Sequence, residues 1–283
     1  MPNLSIIVPA WKEPYLYKTV NNIFEKAIGD IEVIATLDGT KPEIMPKKDS
    51  RLSIIEHNTP GMRGSINAGL AVAKGKYIMK LDAHCSFMEG FDENLTAICQ
   101  ENWLVVPRRY SLDENTWEKN EDRPIWDYHY LSFPALIPVQ WQRPEREGYE
   151  LDDTMTIQGS CWLANREYFM KHVGFLDDKL ETYGNFTGEQ HEVSLKYWLG
   201  GGEVKVMKSV WYAHLLKKSR HYNAGVFDRS RKENKRSRKN ESWVAKHWLN
   251  NEEPNMVRSF SWLVEKFMPI PSWPEDKLLW IAQ

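Results

Sequence analysis

Over the first eighty residues, the pattern of apolar and polar positions switches between continuous apolar runs and apolar residues at helical spacing. Short apolar runs with the length of buried strands are found at 4–9, 31–37, 51–55 and 76–81. The segments 14–27 and 61–73 are predicted to be helices. The first has apolar residues at helical spacing, and the second is opened by a Gly-rich turn. This order of strands and helices requires crossover connections. It predicts an α/β fold with a mostly parallel central sheet flanked by helices, as in nucleotide-binding half-domains.

The pattern after residue 90 is less regular. The predicted helices there are 91–99, 166–172 and 188–199, and the predicted strands are 103–107, 154–164 and 203–207, with 211–214 following the last one. Residues 108–153 are rich in Pro, Trp, Arg and acidic residues and are expected to form a long irregular insertion over the sheet. The last forty residues are expected to be helical, aromatic and packed back on the domain.

Net charge and cysteine content exclude some classes of protein. The 283-residue chain has a net charge of −2 and a pI near 6.5, so it has no overall attraction to nucleic acid or anionic membranes. Locally, residues 217–239 carry ten Lys and Arg against two acidic residues. This run is read either as a solvated charged face or as a basic surface for phosphates. Three cysteines without a C-x-x-C pair predict free thiols rather than a disulfide scaffold or a Cys-rich zinc site.

No targeting or membrane-spanning segment is expected. The first residues lack a basic segment followed by a sustained apolar stretch, and no apolar run approaches the ~20 residues of a membrane span. A soluble, cytoplasmic protein is predicted.

An acid and a histidine follow the strand at 76–81. In Asp82-Ala83-His84 the two side chains are separated by one residue, so an extended chain directs them to the same side. A carboxylate and a neutral imidazole can bind one divalent cation at the carboxyl end of a strand, where open α/β sheets place their ligands. The alternative is a strand-end turn with a capping Asp and a surface His. The G-x-G-x-x-G and P-loop motifs are absent, so neither NAD binding nor simple NTP hydrolysis is indicated.

Motifs in both halves resemble known families. Residues 6–13 (IIVPAWKE), 37–40 (LDGT) and 81–84 (LDAH) resemble the opening of a family-2-like glycosyltransferase with the GT-A fold. Residues 157–169 and 188–192, and then 213–218 with Tyr222, resemble the polypeptide N-acetylgalactosaminyltransferases. The resemblance covers roughly residues 4–250.

The resemblance implies four regions of the chain. Residues 1–107 would form the nucleotide-sugar-binding half of the GT-A domain, and 108–216 the acceptor-side half. Residues 217–240 would be a basic mobile loop that closes over the nucleotide sugar, and 241–283 a helical aromatic segment.

The resemblance also implies site residues. His214 would join Asp82 and His84 as the third ligand of Mn²⁺ or Mg²⁺, although a packed strand-end histidine is the alternative. The expected nucleotide-sugar-binding residues are Pro9, Ala10, Glu13, Asp38, Arg63, Asp82, Gly159, Ser160, Lys217, Lys218 and Tyr222. For Asp38 and Arg63, a turn-forming Asp and a surface Arg remain alternatives. The sequence Gln158-Gly-Ser-Cys161 stands where the related branch has a double glycine, which changes the floor of the sugar pocket.

Glu189 and Gln190 are the expected catalytic residues. Inverting enzymes of this fold have an acidic pair here, whose second acid is the general base, and an amide cannot take up a proton at neutral pH. Gln190 therefore predicts retention of anomeric configuration, with the leaving phosphate taking the acceptor proton. The alternative bases are Asp177, Asp178, His191 and Glu192.

The sequence thus predicts a metal-dependent glycosyltransferase that moves a hexosyl or N-acetylhexosaminyl group from a UDP-sugar to a hydroxyl. Hydroxylated DNA bases are favoured slightly as the acceptor because of the basic run. The alternatives are an inverting enzyme acting on a saccharide or protein, a sugar nucleotidyltransferase, and a nucleic-acid-binding protein with a degenerate sugar-nucleotide site.

Overall fold

The computed structural model describes residues 1–39, 41–59, 61–217 and 230–280, with side chains in the last range from residue 239 onward. The α-helices in these ranges are α1 Leu16–Lys26, α2 Met62–Val72, α3 Phe91–Ile98, α4 Arg166–His172, α5 Glu189–Leu199, α6 Ser230–Leu249 and α7 Phe260–Phe267. The strands are β1 Leu4–Ala10, β2 Ile31–Asp38, β3 Leu52–His57, β4 Tyr77–Leu81, β5 Cys85–Phe87, β6 Trp103–Leu112, β7 Lys119–Asn120, β8 Tyr128–Ser132, β9 Ile137–Trp141, β10 Leu151–Asp153, β11 Cys161–Asn165 and β12 Glu203–His214.

One large sheet forms the centre of the molecule. Its strand order is β10-β12-β6-β11-β4-β1-β2-β3, with β5 added to β12 and β7 to β6. Strands β3, β2, β1 and β4 are parallel neighbours, and β6 is parallel to β12. Strand β11 runs antiparallel between β4 and β6, and β10 is antiparallel to β12. The predicted α/β fold with a mostly parallel sheet is therefore confirmed.

Successive side chains of the central strands point to opposite faces of the sheet, and an apolar core covers each face. In β1, Ile6 and Val8 pack with α1 and α3, whereas Ile7 packs with α2 on the opposite face. Because successive side chains of a strand point to opposite faces, a strand covered on both sides needs apolar residues at every position. This is why the continuous run at 4–9 predicts its strand correctly.

The region 108–153 is more ordered than predicted. Strand β6 continues through the boundary predicted at residue 107, and β8 and β9 form an antiparallel hairpin. The turns and prolines of this region obscure strands that neighbouring segments complete by hydrogen bonding. Conversely, the strand predicted at 154–164 begins only at Cys161, because residues 154–160 are irregular apart from an isolated bridge between Thr156 and His129; here the prediction was too long. The predicted 203–207 and 211–214 belong to one strand, β12, with a shift in register between Met207 and Trp211.

The C-terminal segment packs on α5. Trp198 of α5 contacts Trp262 and Phe267 of α7, with ring centroids 6.2 and 5.6 Å apart. None of the helices in the described ranges combines the length and apolar composition of a membrane span. The three cysteines are buried and unpaired. Residues 218–229 of the basic run, with Lys218 and Tyr222, lie outside the described residues. From residue 230 the run belongs to α6, so the loop predicted at 217–240 extends too far.

Candidate metal and nucleotide-sugar site

Asp82, His84 and His214 meet at one edge of the sheet. One ligand-type atom from each side chain lies within 4.8 Å of the other two. Asp82 follows β4, and His214 is the last residue of β12. His84 comes close to them because Cys85, the first residue of β5, pairs with His214 in the antiparallel ladder. The structure thus brings together the three residues predicted to be metal ligands.

Glu13 lies behind His84. Its Oε2 is 3.2 Å from His84 Nδ1 and also contacts the Lys217 ammonium group. Burial opposes the charge on Glu13, but His84 and Lys217 together lower the pKa of this carboxyl. A carboxylate that accepts from Nδ1–H leaves Nε2 unprotonated and able to bind a metal. Glu13 therefore positions His84, although the sequence predicted a role in nucleotide binding.

Arg109 occupies the matching place behind His214. Its Nη2 lies 2.9 Å from His214 Nδ1, and its guanidinium carbon lies 4.2 Å from the centroid of Trp126. Arg has no acceptor, so Nδ1 must accept this hydrogen bond and Nε2 carries the hydrogen toward Asp82 Oδ2, 3.2 Å away. Burial lowers the pKa of His214 to about 3, which keeps the ring neutral. Metal binding through Nε2 therefore requires the other tautomer and a shift of Arg109.

Lys80 connects the metal-ligand cluster to the predicted catalytic pair. The residue is 1% exposed, and its Nζ lies 2.9 Å from Asp82 Oδ1 and 3.2 Å from Glu189 Oε2. It also donates to the carbonyl of Gly159. Trp162 Nε1–H donates to Glu189 Oε1 at 2.8 Å. The two carboxylates are thus held on either side of one buried ammonium group.

These contacts affect the two carboxyls differently. Burial raises the pKa of Glu189, and Lys80 and Trp162 offset only part of this rise. Burial also opposes ionisation of Asp82, but Lys80 and then His214 lower the pKa of Asp82 well below its ordinary value. Asp82 therefore remains a carboxylate across the physiological range, as a metal ligand must.

A cleft of about 960 Å³ opens beside this group. Asp82, Gln158, Glu189 and Gln190 line it, together with Gly159 and Ser160. Its outer walls are formed by residues 133–138, around the β8–β9 turn, and by residues 241–249 of α6. The cleft is thus lined by one predicted metal ligand, Asp82, by the predicted catalytic pair and by two predicted sugar-binding residues.

The described hydrogen bonds and ion pairs of Arg63 and Asp38 do not connect these residues to the metal ligands or to Glu189 and Gln190. Arg63 is 0% exposed, forms an ion pair with Glu192 and donates to the carbonyls of Asp177 and Thr187 at 2.6 and 2.8 Å. It holds the segment before α5, so a surface Arg and a diphosphate contact are both inconsistent with this placement. Asp38, at the end of β2, accepts from the backbone N–H of Gly61 at 2.7 Å.

Three of the four alternative general bases, Asp177, His191 and Glu192, are engaged by other protein groups. Glu192 is buried against Arg63, and Asp177 accepts from Thr182 at 2.8 Å. His191 Nε2 bonds to the carbonyl of Leu136, and burial lowers the pKa of His191 to about 4.

Pro9 and Ala10 end β1, at the same edge of the sheet as Asp82.

The donor set of the trio fits a divalent cation. Asp82 Oδ2 and His214 Nε2 are 3.2 Å apart, close to the roughly 3 Å between neighbouring ligands in an octahedral shell with bonds of about 2.1 Å. One carboxylate and two imidazoles suit Mn²⁺, and Glu13 provides the usual acceptor behind one imidazole. The residues present are therefore able to hold such an ion once His214 takes the other tautomer and Arg109 moves away from Nδ1.

Comparison with known proteins identifies the family. The model of the family described as "Glycosyl transferase family 2" matches residues 5–173, more than half of the chain. The chain belongs to this family. The predicted resemblance to family-2-like glycosyltransferases is confirmed.

The curated relatives of this family-2 chain include polypeptide N-acetylgalactosaminyltransferase 3 of Mus musculus and of Homo sapiens. Each is 29% identical over 245 residues, which covers 78% of this chain and 38% of the relative. The chain therefore spans about two fifths of the length of these relatives. The resemblance of the second half to this branch is confirmed as a similarity.

A solved structure shares the fold. The crystal structure of GalNAc-T7 with UDP, GalNAc and Mn²⁺ matches 94% of this chain and 57% of the other, with a TM-score of 0.71 and 17% identity. This likeness confirms the predicted GT-A fold.

Several residues that shape the site were not predicted. All of them lie inside strands: Lys80, Arg109, Trp162 and Tyr212. The alternation of a strand does not distinguish a residue that shapes the site from one that packs in the core. Only Lys80 could have been recognised from the sequence, because a lysine within a strand buried on both faces requires a charged or hydrogen-bonding partner.

Proposed function

We propose that this chain is a metal-dependent glycosyltransferase that moves a sugar from a UDP-sugar to a hydroxyl acceptor. The observation that carries the proposal is the meeting of Asp82, His84 and His214 at the carboxyl edge of the sheet in a family-2 chain. The similarity to a structure described with UDP and Mn²⁺ supports the choice of donor and of metal.

The three ligands would hold Mn²⁺ or Mg²⁺. When bound, such an ion acts as a Lewis acid that offsets the charge developing on the leaving diphosphate. Glu13 keeps His84 in the tautomer that presents Nε2. Lys80 keeps Asp82 ionised and fixes its direction.

The nucleotide would lie along the ends of the first strands. Pro9, Ala10 and Asp38 end β1 and β2, where open α/β sheets bind nucleosides. Lys217 lies beside Glu13 at the metal cluster, so it is close to where a diphosphate would bind. Lys218 and Tyr222 are proposed to contribute from the same segment.

We propose that transfer occurs with retention. Gln190 lines the cleft where an inverting enzyme would need its base, and an amide does not accept a proton at neutral pH. Glu189 is held by Lys80 and Trp162, so it orients groups rather than moving to the acceptor. The proton of the acceptor hydroxyl would then pass to the leaving phosphate oxygen on the same face of the sugar.

The acceptor is proposed to be a hydroxyl, with hydroxylated DNA bases as one candidate. The basic run at 217–239 favours a polyanion. Among the described residues that line the cleft, the positive Lys80 and Lys246 are balanced by the acidic Asp82, Glu189 and Glu241. The lining therefore adds no excess of positive charge. DNA binding would therefore depend on the basic run, whereas a saccharide or protein hydroxyl would depend on the cleft.

The test is hydrolysis and transfer of UDP-sugars with and without MnCl₂. We expect Mn²⁺-dependent release of UDP, lost in Asp82→Asn and His214→Ala and kept in the matched controls Asp122→Asn and His172→Ala. Unchanged hydrolysis in both site variants would reject the proposal. A panel of DNA, oligosaccharide and protein acceptors, read by mass spectrometry, identifies the acceptor. The anomeric configuration of the product, measured by NMR, decides between retention and inversion.

A further inference from the structure

A short hydrogen-bond chain holds Gln158 at the floor of the cleft. Tyr212 Oη lies 2.6 Å from Ser160 Oγ, and Ser160 Oγ contacts Gln158 Oε1. The backbone N–H of Ser160 donates to the same Oε1 at 3.0 Å. Ser160 and Tyr212 are 2% and 1% exposed, so this chain is enclosed by the protein except at Gln158.

These contacts determine which way the Gln158 amide faces. A backbone N–H is always a donor, so the atom that it reaches must be the amide oxygen. The Ser160 hydroxyl contacts the same oxygen, and Tyr212 Oη lies 3.2 Å from it, so both hydroxyls are on the oxygen side of the amide. The amide nitrogen of Gln158 is left with two N–H groups to donate.

The amide nitrogen is open to the cleft. Gln158 lines the cleft and is half-buried. No hydrogen bond of Nε2 is found among the described residues, and Nε2 is not among their buried unpartnered side-chain atoms. Among the described residues only the amide oxygen is used, so the two N–H groups are available to a ligand in the cleft.

The amide also lies next to the reacting groups. The neighbouring Gly159 packs so closely on the start of α5 that a Cβ there would lie 3.2 Å from Glu189 Oε2 and 3.3 Å from Gln190 Cδ. The backbone N–H of Asp82 donates to the carbonyl of Ser160 at 2.9 Å. The segment 158–160 thus links the metal ligand Asp82 to the pair at the start of α5.

We propose that Gln158 selects the transferred sugar by donating from Nε2 to an acceptor oxygen on it, either a hydroxyl or an acetamido carbonyl. The sugar is neutral, since the described part of the floor has no unpaired cation for a uronate carboxylate: Lys80 is paired with Asp82, and the charge of a divalent ion is offset by the diphosphate. A uronate is therefore disfavoured. This inference rests on the proposed function, because it assumes a UDP-sugar in the cleft.

Titration calorimetry with MnCl₂ tests it, using UDP, UDP-glucose, UDP-galactose, the two UDP-N-acetylhexosamines and UDP-glucuronate. For wild type we expect one neutral UDP-sugar to bind more tightly than UDP, and UDP-glucuronate to bind more weakly than that sugar. In Gln158→Ala the gain from UDP to the preferred sugar should fall about 3–10-fold, as expected for one neutral hydrogen bond. UDP affinity should stay within about twofold.

Two further variants separate binding from folding. Gln158→Glu has the same shape, but its carboxylate cannot donate. It should lose at least as much affinity as Gln158→Ala for a sugar held through an acetamido carbonyl, whereas a sugar hydroxyl can still donate to the carboxylate. Gln142→Ala, an exposed glutamine outside the cleft, is the matched control and should change neither affinity. Thermal melting establishes that each variant is folded.

The outcomes are distinguishable. Wild type that does not bind UDP rejects the proposed function itself. If wild type binds UDP but binds no UDP-sugar more tightly, or if both Gln158 variants keep the wild-type preference, the role of Gln158 is overturned and the proposed function stands. A fall in sugar affinity with unchanged UDP affinity supports the role.

Discussion

Replacing Lys80 by Met removes a buried ammonium group from between two carboxylates while keeping the apolar side-chain volume. Lys80 Nζ lies 2.9 Å from Asp82 Oδ1 and 3.2 Å from Glu189 Oε2, and the Lys80 and Glu189 side chains are 1% and 2% exposed. Removing one partner of a buried ion pair costs about 3–5 kcal/mol. The Asp82 side chain is 28% exposed and gains some hydration, so we expect a loss near the lower end, about 3 kcal/mol.

A second substitution shows whether the loss comes from the uncompensated charge. In Lys80→Met/Glu189→Gln the buried carboxylate becomes a neutral amide, whose oxygen can still accept from Trp162 Nε1. We expect this change to restore about 1–2 kcal/mol of the free energy of unfolding. The exposed residue Lys74 gives the matched control, since Lys74→Met should change stability by no more than about 0.5 kcal/mol.

The pH dependence gives an independent check. Lys80 lowers the pKa of Asp82 in the folded state, so this contribution to stability is present above the unfolded pKa of about 3.9 and is lost as the pH falls further. The difference between wild type and Lys80→Met should therefore be largest near neutral pH and should shrink below about pH 4.

The assay is urea unfolding followed by tryptophan fluorescence at pH 7 and at pH 3.5. A loss below about 1 kcal/mol at pH 7 would refute the reasoning. So would a double variant that is no more stable than Lys80→Met.

Three other substitutions test individual side chains. Glu13→Ala should weaken Mn²⁺ binding about 10–100-fold, measured by EPR of the free ion, because the acceptor behind His84 is lost. Arg109→Gln should strengthen Mn²⁺ binding about 3–10-fold in the same assay, because a glutamine oxygen can accept from His214 Nδ1–H and a guanidinium cannot. Arg63→Met should lower the free energy of unfolding by about 3–5 kcal/mol and leave UDP affinity unchanged, since it breaks a fully buried ion pair. The controls are Glu25→Ala and Arg108→Gln, which should leave Mn²⁺ binding as in wild type. Unchanged Mn²⁺ affinity in Glu13→Ala, weaker affinity in Arg109→Gln, or a stable Arg63→Met that no longer binds UDP would each contradict the corresponding role.

The local pattern of apolar residues was sufficient to predict the strands and helices of the first eighty residues. The buried strands of the first eighty residues have apolar residues at nearly every position, which is required of strands covered on both faces. The β8–β9 hairpin was missed although its strands are adjacent in sequence, because prolines and polar residues interrupt the alternation that is typical of strands. The length of β12 was underestimated because the shift in register after Met207 interrupts its alternation.

The metal-ligand trio was predictable for two different reasons. Asp82 and His84 are neighbours in sequence, so strand geometry alone places them together. His214 is more than a hundred residues away and was assigned only through the resemblance to a family. The structure brings it there because β5 and β12 pair.

What the sequence by itself determined is the class of fold, the family and the identity of the groups that can bind a metal. These depend on periodicity and on short motifs, which are local properties. Only the tertiary structure decided what each group does: Glu13 orients His84, Arg109 bonds to His214, Arg63 is enclosed with Glu192, and Lys80 joins two carboxylates. The physical reason is that hydrogen bonds and ion pairs between distant segments depend on distance and burial, and neither is present until the chain is folded.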